Sequence, residues 1–296
     1  MVETNVHFPT DINLLFDATR KVVELTARLC DNSGIKGWRQ REHNINELKK
    51  SVFKLQKLKH SSSKDPLKAL KKADEIEQAY EEYAKKAKSF IEKAKDSKKK
   101  LLEIGVELLS FDDINYFTAH AEKQINLIIR RVIQGEKIPH EEKVFSVFEP
   151  HTDWISKGKA GVPVELGLRV AVIEDQNGFI LGHQIMRNQT DDQIAVSIAK
   201  EAKVNFPTLK SCSYDKGFHS QPNQTELKKI LDEVALPKKG KLSKKDGEYQ
   251  YSEQFKKIRK KHSAIESAIN ALEVHGLDRC PDKGFHGFER YVGLGC

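Results

Sequence analysis

Two acidic residues, Asp215 and Glu266, stand where their type and surroundings could serve phosphate chemistry. Asp215 follows the run LKSCSY, in which Cys212 and Tyr214 alternate with Ser211 and Ser213, the pattern of a short buried strand. Its carboxylate therefore falls at a strand's end. Lys216-Gly217 then breaks the strand, and Gly217 can take the positive φ of a sharp strand-to-helix turn. Glu266 lies in HSAIESAINALEVHG, where Ile265, Ala268, Ile269 and Leu272 follow the 3, 4, 7 spacing of one apolar helix face. A carboxylate at a strand's edge and another on a packed helix are what a two-metal phosphoryl-transfer site requires. Hard divalent cations take oxygen ligands, and two of them can clamp the attacking and leaving oxygens of an in-line displacement. Ordinary structural roles fit the same residues. Asp-x-Gly is a common turn, and Ser263-Ala264-Ile265-Glu266 has the spacing of a capping box.

The interval between the two acids sharpens the choice. Pro237–Lys261 holds Lys238, Lys239, Lys241, Lys244, Lys245, Lys256, Lys257, Arg259, Lys260 and Lys261 against three acids, with Tyr249, Tyr251 and Phe255 interleaved. A surface for a phosphate backbone is the natural reading of such a run, with solubilising charge as the alternative. The whole chain of 296 residues carries 51 Lys+Arg against 43 Asp+Glu, a net charge of +8 that favours a polyanionic partner, nucleic acid first and an anionic membrane surface second. No apolar run approaches the roughly 20 residues of a membrane span, and no secretory signal opens the chain, so no membrane partner is expected. Cys30, Cys212, Cys280 and Cys296 are scattered without zinc spacing, as expected for free thiols in a reducing cytoplasm.

The elements that must position these residues begin with VETNVHFP, which alternates as a strand. Pro9-Thr10-Asp11 stops it and caps a helix with Ile12, Leu15, Phe16, Val22, Val23 and Leu29 on its buried side. From Trp38 to Gln134 the composition turns to Lys, Glu and Ala. Leu67, Leu70, Ala73, Ile76, Tyr80, Tyr83, Ala87, Phe90 and Ala94 step by 3 and 4 as a long coiled-coil-like helix. Asp65-Pro66 starts it, after a hinge at His60–Ser63, and 49–60 and 114–132 are its helical companions. Strands return at Val144–Phe148, and Glu149–Asp153 then turns. Val164–Ile173 and Phe179–Met186 form a hairpin around Asn177-Gly178. Val170–Ile173 is continuously apolar and is expected to be covered on both faces. Lys157-Gly158-Lys159 reads as a basic loop. Thr190-Asp191-Asp192 caps a further helix, and a helix over 224–231 and a strand over 233–236 follow Asp215.

This order is an α/β layout around a mixed sheet, and its blocks carry a resemblance. VETNVHFPTDINLLFDATRKV, EEKVFSVFEPHTDWISKGKAGVPVELGLRV, SCSYDKGFHS and KKHSAIESAINALEVHGLDRC together resemble the catalytic domain of bacterial insertion-sequence transposases of the DDE, RNase H-like type, closest to the ISNCY group. The resemblance implies an RNase H-like mixed sheet flanked by helices. Residues 1–37 would be its first strand and helix, 38–137 an all-helical insertion, and 138–296 the remainder. It also implies two Mg²⁺ ions, or Mn²⁺, held by an Asp-Asp-Glu triad for DNA strand cleavage and transfer. Asp215 would be the second acid and Glu266 the third. Lys157, Lys159, Lys238, Lys239, Lys241, Lys256, Lys257, Arg259, Lys260, Lys261 and His262 would hold DNA, with His262 and Arg259 near the scissile phosphate. Terminal-repeat and target DNA would be the partners of a nucleoid-associated homo-oligomer. The family's first Asp precedes the VETNV block, ahead of Met1 in this chain; Glu3 and His7 are out of register with it, and Asp11 lies past the strand. The family's N-terminal DNA-binding region has no counterpart here, and the helix after Tyr291 is short. The expectation is a transposase copy cut at both ends, DNA-binding and with impaired catalysis; a non-catalytic helical interaction protein is the alternative.

Overall fold

The computed structural model describes residues 1–60, 65–156, 163–262 and 264–296, without the side chains of Lys245 and Ala264. Most of the expected hinge at His60–Ser63 and the whole Lys157–Lys159 loop lie outside the described residues. The chain divides into two compact units, one of Met1–Val6 with His151–Cys296 and one of His7–Pro150. Strand β1 (Val2–Thr4) opens the first unit.

The second unit is helical. Helix α1 (Asp11–Asn32) starts where the Thr10 hydroxyl accepts from the Asn13 N–H, and Gly34 leaves it at φ 71°. Helices α2 (Arg41–His60), α3 (Pro66–Glu103) and α4 (Asp112–Ile128) complete the bundle. Asp65 caps α3 by accepting from Leu67 and Lys68, with Pro66 in the first turn, as the sequence predicts. The core holds Leu15, Leu55, Tyr83, Ala87, Ile91 and Ile128. Its buried polar atoms are matched where aromatics enter: Tyr83 donates to the Ile12 carbonyl at 2.9 Å, and Trp38 Nε1 donates to Ser97 Oγ at 2.9 Å. The α3 seam is buried only from Ala79 onward, while Leu67 and Leu70 are exposed. Lys59, one residue from the end of α2, meets Tyr80 at 3.3 Å, so the first turns of α3 run past the end of α2.

The first unit is α/β. Strands β2 (Asp153–Ser156), β3 (Val164–Glu174) and β4 (Ile180–Met186) precede α5 (Asp191–Asn205), and β5 (Ser211–Ser213), α6 (Gln221–Ile230) and β6 (Glu233–Ala235) follow. Helices α7 (Lys244–Gln250), α8 (Glu253–His262) and α9 (Ala264–Leu272), strand β7 (Arg279–Cys280) and α10 (Gly284–Gly295) end the chain. A five-stranded mixed sheet is built around β3 and β1. Val2 lies opposite Leu168 in an antiparallel pair, and Glu3 and Thr4 run parallel beside Arg279 and Cys280. On β3, residues 164–167 pair with β2 and residues 169–174 with β4. The β3–β4 turn forms as expected, with Asp175 Oδ1 accepting from the Asn177 and Phe179 amides and Gly178 at φ 89°. β5 and β6 form a separate parallel pair joined through α6.

Four expectations change. Val144–Phe148 is not a strand: Ser146 Oγ accepts from the Phe148 and Glu149 amides as a turn, and Val147 is buried in the helical core. The strand begins instead at Asp153, within and beyond the stretch read as a turn. Val170–Ile173 is covered on both faces only in part: Val170 packs on one cluster and Ala171 and Ile173 on another, but Ala171 alone is buried. The boundaries drawn at 37/38 and 137/138 by composition differ from the unit boundaries at 6/7 and 150/151. Here α1 belongs to the helical unit, because Leu15, Ala18, Val22 and Val23 pack among α3 and α4 side chains.

Candidate functional site

Asp215 sits just past the end of β5, where Ser211, Cys212 and Ser213 run beside Glu233, Val234 and Ala235. The strand is short but held from below. Cys212 and Tyr214 pack with Leu227 and Val234, and burial raises the Cys212 thiol to about 11 and the Tyr214 phenol well above its ordinary value. The Asp215 side chain itself is 66% exposed. Gly217 follows in a 3₁₀ turn over Lys216–Phe218, and its φ is not in the left-handed region. A smaller fact explains the glycine: a Cβ there would stand 2.2 Å from Asp191 Oδ2.

Helix α8 brings the cations. Phe255 is its buried anchor, edge-on to Tyr249 at 5.1 Å, and Tyr249 donates to the Val234 carbonyl. Gln254 Nε2 donates to Glu233 Oε1 at 2.7 Å, so the helix is fixed to β6 at its start. One turn on, Arg259 donates to the Tyr214 carbonyl at 2.8 Å and reaches Asp215 Oδ1 at 3.5 Å. His262 Nε2 lies 3.1 Å from that same oxygen. The hydrogen bond from His262, with the charges of His262 and Arg259, holds the Asp215 carboxyl below the ordinary 3.8 against the opposing effect of burial. Lys256, Lys257, Lys260 and Lys261 stand exposed on the other side of α8, with Lys261 Nζ 3.1 Å from Gln176 Oε1. A helix of 3.6 residues per turn separates these two sets by itself: 256, 257, 260 and 261 share one stripe, whereas 255, 259 and 262 share the inward one.

The remaining expected residues are placed as follows. Lys238 is tied to Asp246 at 2.7 Å, and Lys239 and Lys241 are exposed. Lys157 and Lys159 lie outside the described residues, and so does Ser263, on which the capping box depends. Glu266 is exposed on α9, one turn past His262, and has no hydrogen-bond or ion-pair partner among the described residues. The structure therefore joins Asp215 with Arg259 and His262, and Glu266 is not part of that cluster. Among the described residues no three His, Cys, Asp or Glu side chains converge as metal ligands. The Asp215 carboxylate shares one oxygen between a guanidinium and an imidazole. Mg²⁺ keeps several waters and takes one or two carboxylates together with substrate phosphates, so Asp215 alone, already engaged by Arg259 and His262, falls short of the carboxylate set of a two-ion centre. What the arrangement can do is receive an anion: a fixed guanidinium and four exposed ammonium groups lie along one helix.

Sequence reasoning missed one organising contact. The Arg259 bond to the Tyr214 carbonyl ties the basic helix to the strand before Asp215, and its signal was faint: Phe255 and Ile258 are the apolar residues of an otherwise polar helix. Comparisons with protein-family models, curated proteins and solved structures returned no match. No described helix is long and apolar enough to cross a membrane.

Proposed function

We propose that this chain is a transposase-derived DNA-binding protein with an RNase H-like sheet, whose contact surface is the lysine stripe of α8. The observation that carries this reading is the exposed stripe of Lys256, Lys257, Lys260 and Lys261 on α8, the helix whose inward face holds Arg259 and His262 against Asp215. The order of β1, the β3–β4 hairpin and the β5–α6–β6 crossover supports the fold, and the net charge of +8 supports the polyanion. A duplex would place backbone phosphates along the stripe and hold them by charge, with Lys239 and Lys241 extending the surface.

Binding of this kind weakens with salt as counterions are retained. Replacing the four α8 lysines with alanine should lower affinity for duplex DNA and reduce the slope of log K against log salt by roughly 0.9 for each phosphate no longer neutralised. Circular dichroism should be unchanged, because none of the four packs inward. Equal affinity and slope in the variant would remove this surface from the reading and leave the lysines as solubilising charge.

A second reading, Mg²⁺- or Mn²⁺-dependent strand cleavage by an oligomer on terminal-repeat DNA, would draw on the exposed carboxylate of Asp215 at the end of β5, which a cation would have to take from Arg259 and His262. Nicking abolished in both Asp215→Ala and Glu266→Ala would support it. Nicking retained in both would rule these acids out.

A further inference from the structure

Tyr249, Tyr251 and Phe255 interleave with the lysines of the basic run, and the fold uses two of these rings. Tyr249 meets Phe255 edge-on at 5.1 Å and donates to the Val234 carbonyl, so both belong to the anchor of α8. Tyr251 is left over. It stands two residues ahead of α8, 68% exposed, and its side chain has no ring or hydrogen-bond partner among the described residues.

A second ring stands at the other end of the helix. Lys261 Nζ, in the last turn of α8, lies 3.1 Å from Gln176 Oε1, which brings the helix end to the tip of the β3–β4 hairpin. Phe179, three residues on from Gln176, is also 68% exposed. Its backbone is held in place: the Phe179 amide donates to Asp175 Oδ1 at 2.9 Å, and its carbonyl accepts from the Asp175 amide at 2.9 Å. Among the described residues of the α/β unit, no aromatic ring is more exposed than these two.

One exposed ring on a protein surface is ordinary. Two rings at opposite ends of one cationic helix have a shared use. The ten residues of α8 span about 15 Å, and Lys256, Lys257, Lys260 and Lys261 lie between the ring positions. Lys256 keeps an exposed pair with Glu253 at 3.6 Å, which solvent screens. Ammonium groups hold a phosphodiester backbone by charge, whether the strand is paired or not. A ring adds a different contact, because its face stacks on the face of a base. Bases within a duplex already stack on one another and offer no free face. Aromatic side chains, with two rotatable bonds, also lose little entropy on being held.

We propose that the α8 surface takes an unpaired stretch of DNA, with the backbone along the four lysines and bases stacked on Phe179 and Tyr251. This rests on the reading of the lysine stripe as a DNA surface and adds the strandedness of its ligand.

The test measures binding of the full chain to an oligo-dT of about 20 nucleotides and to a duplex of the same length, across a salt series. Phe179→Ala and Tyr251→Ala should each lower oligo-dT affinity at least about fivefold. Duplex affinity should not change, nor should the salt slope on either DNA, because no phosphate contact is lost. Phe179→Tyr and Tyr251→Phe keep a ring and should bind oligo-dT as the unaltered chain does. Alanine variants that bind oligo-dT normally, or that weaken both DNAs alike, would overturn the stacking role. The lysine stripe would then still stand if its own four-alanine variant lowers the salt slope. A chain that binds neither DNA in a salt-sensitive way would overturn both readings.

Discussion

The Asp215 carboxylate is the residue on which the site's electrostatics turn. Its charged form is favoured first by the His262 hydrogen bond and then by the charges of His262 and Arg259. A carboxyl group whose folded value is depressed contributes stability that is fully present above its unfolded value. That contribution is lost as the pH falls through the folded value. The window here therefore lies below 3.8. The contribution is small, because two thirds of the side chain meets water and screening is strong. A ¹³C NMR titration should place the Asp215 midpoint below 3.8, and His262→Gln should move it upward. A midpoint at or above 3.8, or one indifferent to His262→Gln, would mean the pair is not formed in solution. The same ion cluster argues against Asp215 as a free-standing metal ligand, since a cation would have to compete with Arg259 for the carboxylate.

At the scale of elements, β1 and β3 come close together at Gly167. A Cβ on Gly167 would stand 2.1 Å from the Val2 carbonyl oxygen and 2.7 Å from Glu3 Cα, both backbone atoms that cannot turn aside. Gly167→Ala should therefore cost about 1–3 kcal/mol or more, as overpacking does, by prising β1 from its partner. Gly182, on β4, has nothing within 4 Å of its Cβ position, and Gly182→Ala should be close to neutral. Urea melts of the two variants check this, and equal stabilities would contradict the β1–β3 register.

Much at this scale was legible in the sequence where local chemistry and packing agree. The Thr10 and Asp65 caps, the Asp175–Gly178 turn, the Thr190–Gln193 capping box and the β5–α6–β6 run lie where the sequence places them. Val144–Phe148 misled because its apolar residues serve a helical core: Val147 is buried there and its carbonyl accepts from the Tyr116 hydroxyl at 3.1 Å. Strand β7 is two residues long and carries no periodicity to read. In the candidate site Asp215 was legible as a strand-end acid. Its partners were not legible from spacing, because Arg259 and His262 arrive on a helix that buries Phe255 and only half-buries Ile258. Glu266 has the spacing of a helix-borne ligand, but spacing along a helix does not fix what the helix faces.

On the scale of the whole molecule, each unit has its own core. Leu15, Tyr83 and Ile91 centre one, and Leu168, Ile194 and Leu227 contribute to the clusters of the other. A chain comprising residues 7–150 should therefore fold alone, with a helical circular dichroism spectrum and a single cooperative melt. Loss of the buried Trp38–Ser97 bond in that fragment, by Trp38→Phe, should cost about 1 kcal/mol, because Ser97 Oγ loses its indole donor but keeps its own bond to the Lys93 carbonyl. A fragment without a cooperative transition would show that the helical unit depends on the rest of the chain.

Strands β1 and β7 of the α/β unit meet across nearly the full length of the polypeptide, with Glu3 beside Arg279. On the ribosome, β1 emerges before the helical bundle and its parallel neighbour long after it. The intervening bundle is rich in local contacts and can be complete while β1 still waits. Until β3 is made, the nascent chain thus carries an unpaired strand tethered to a finished helical body, and a factor that shields nascent segments would meet its open edges there.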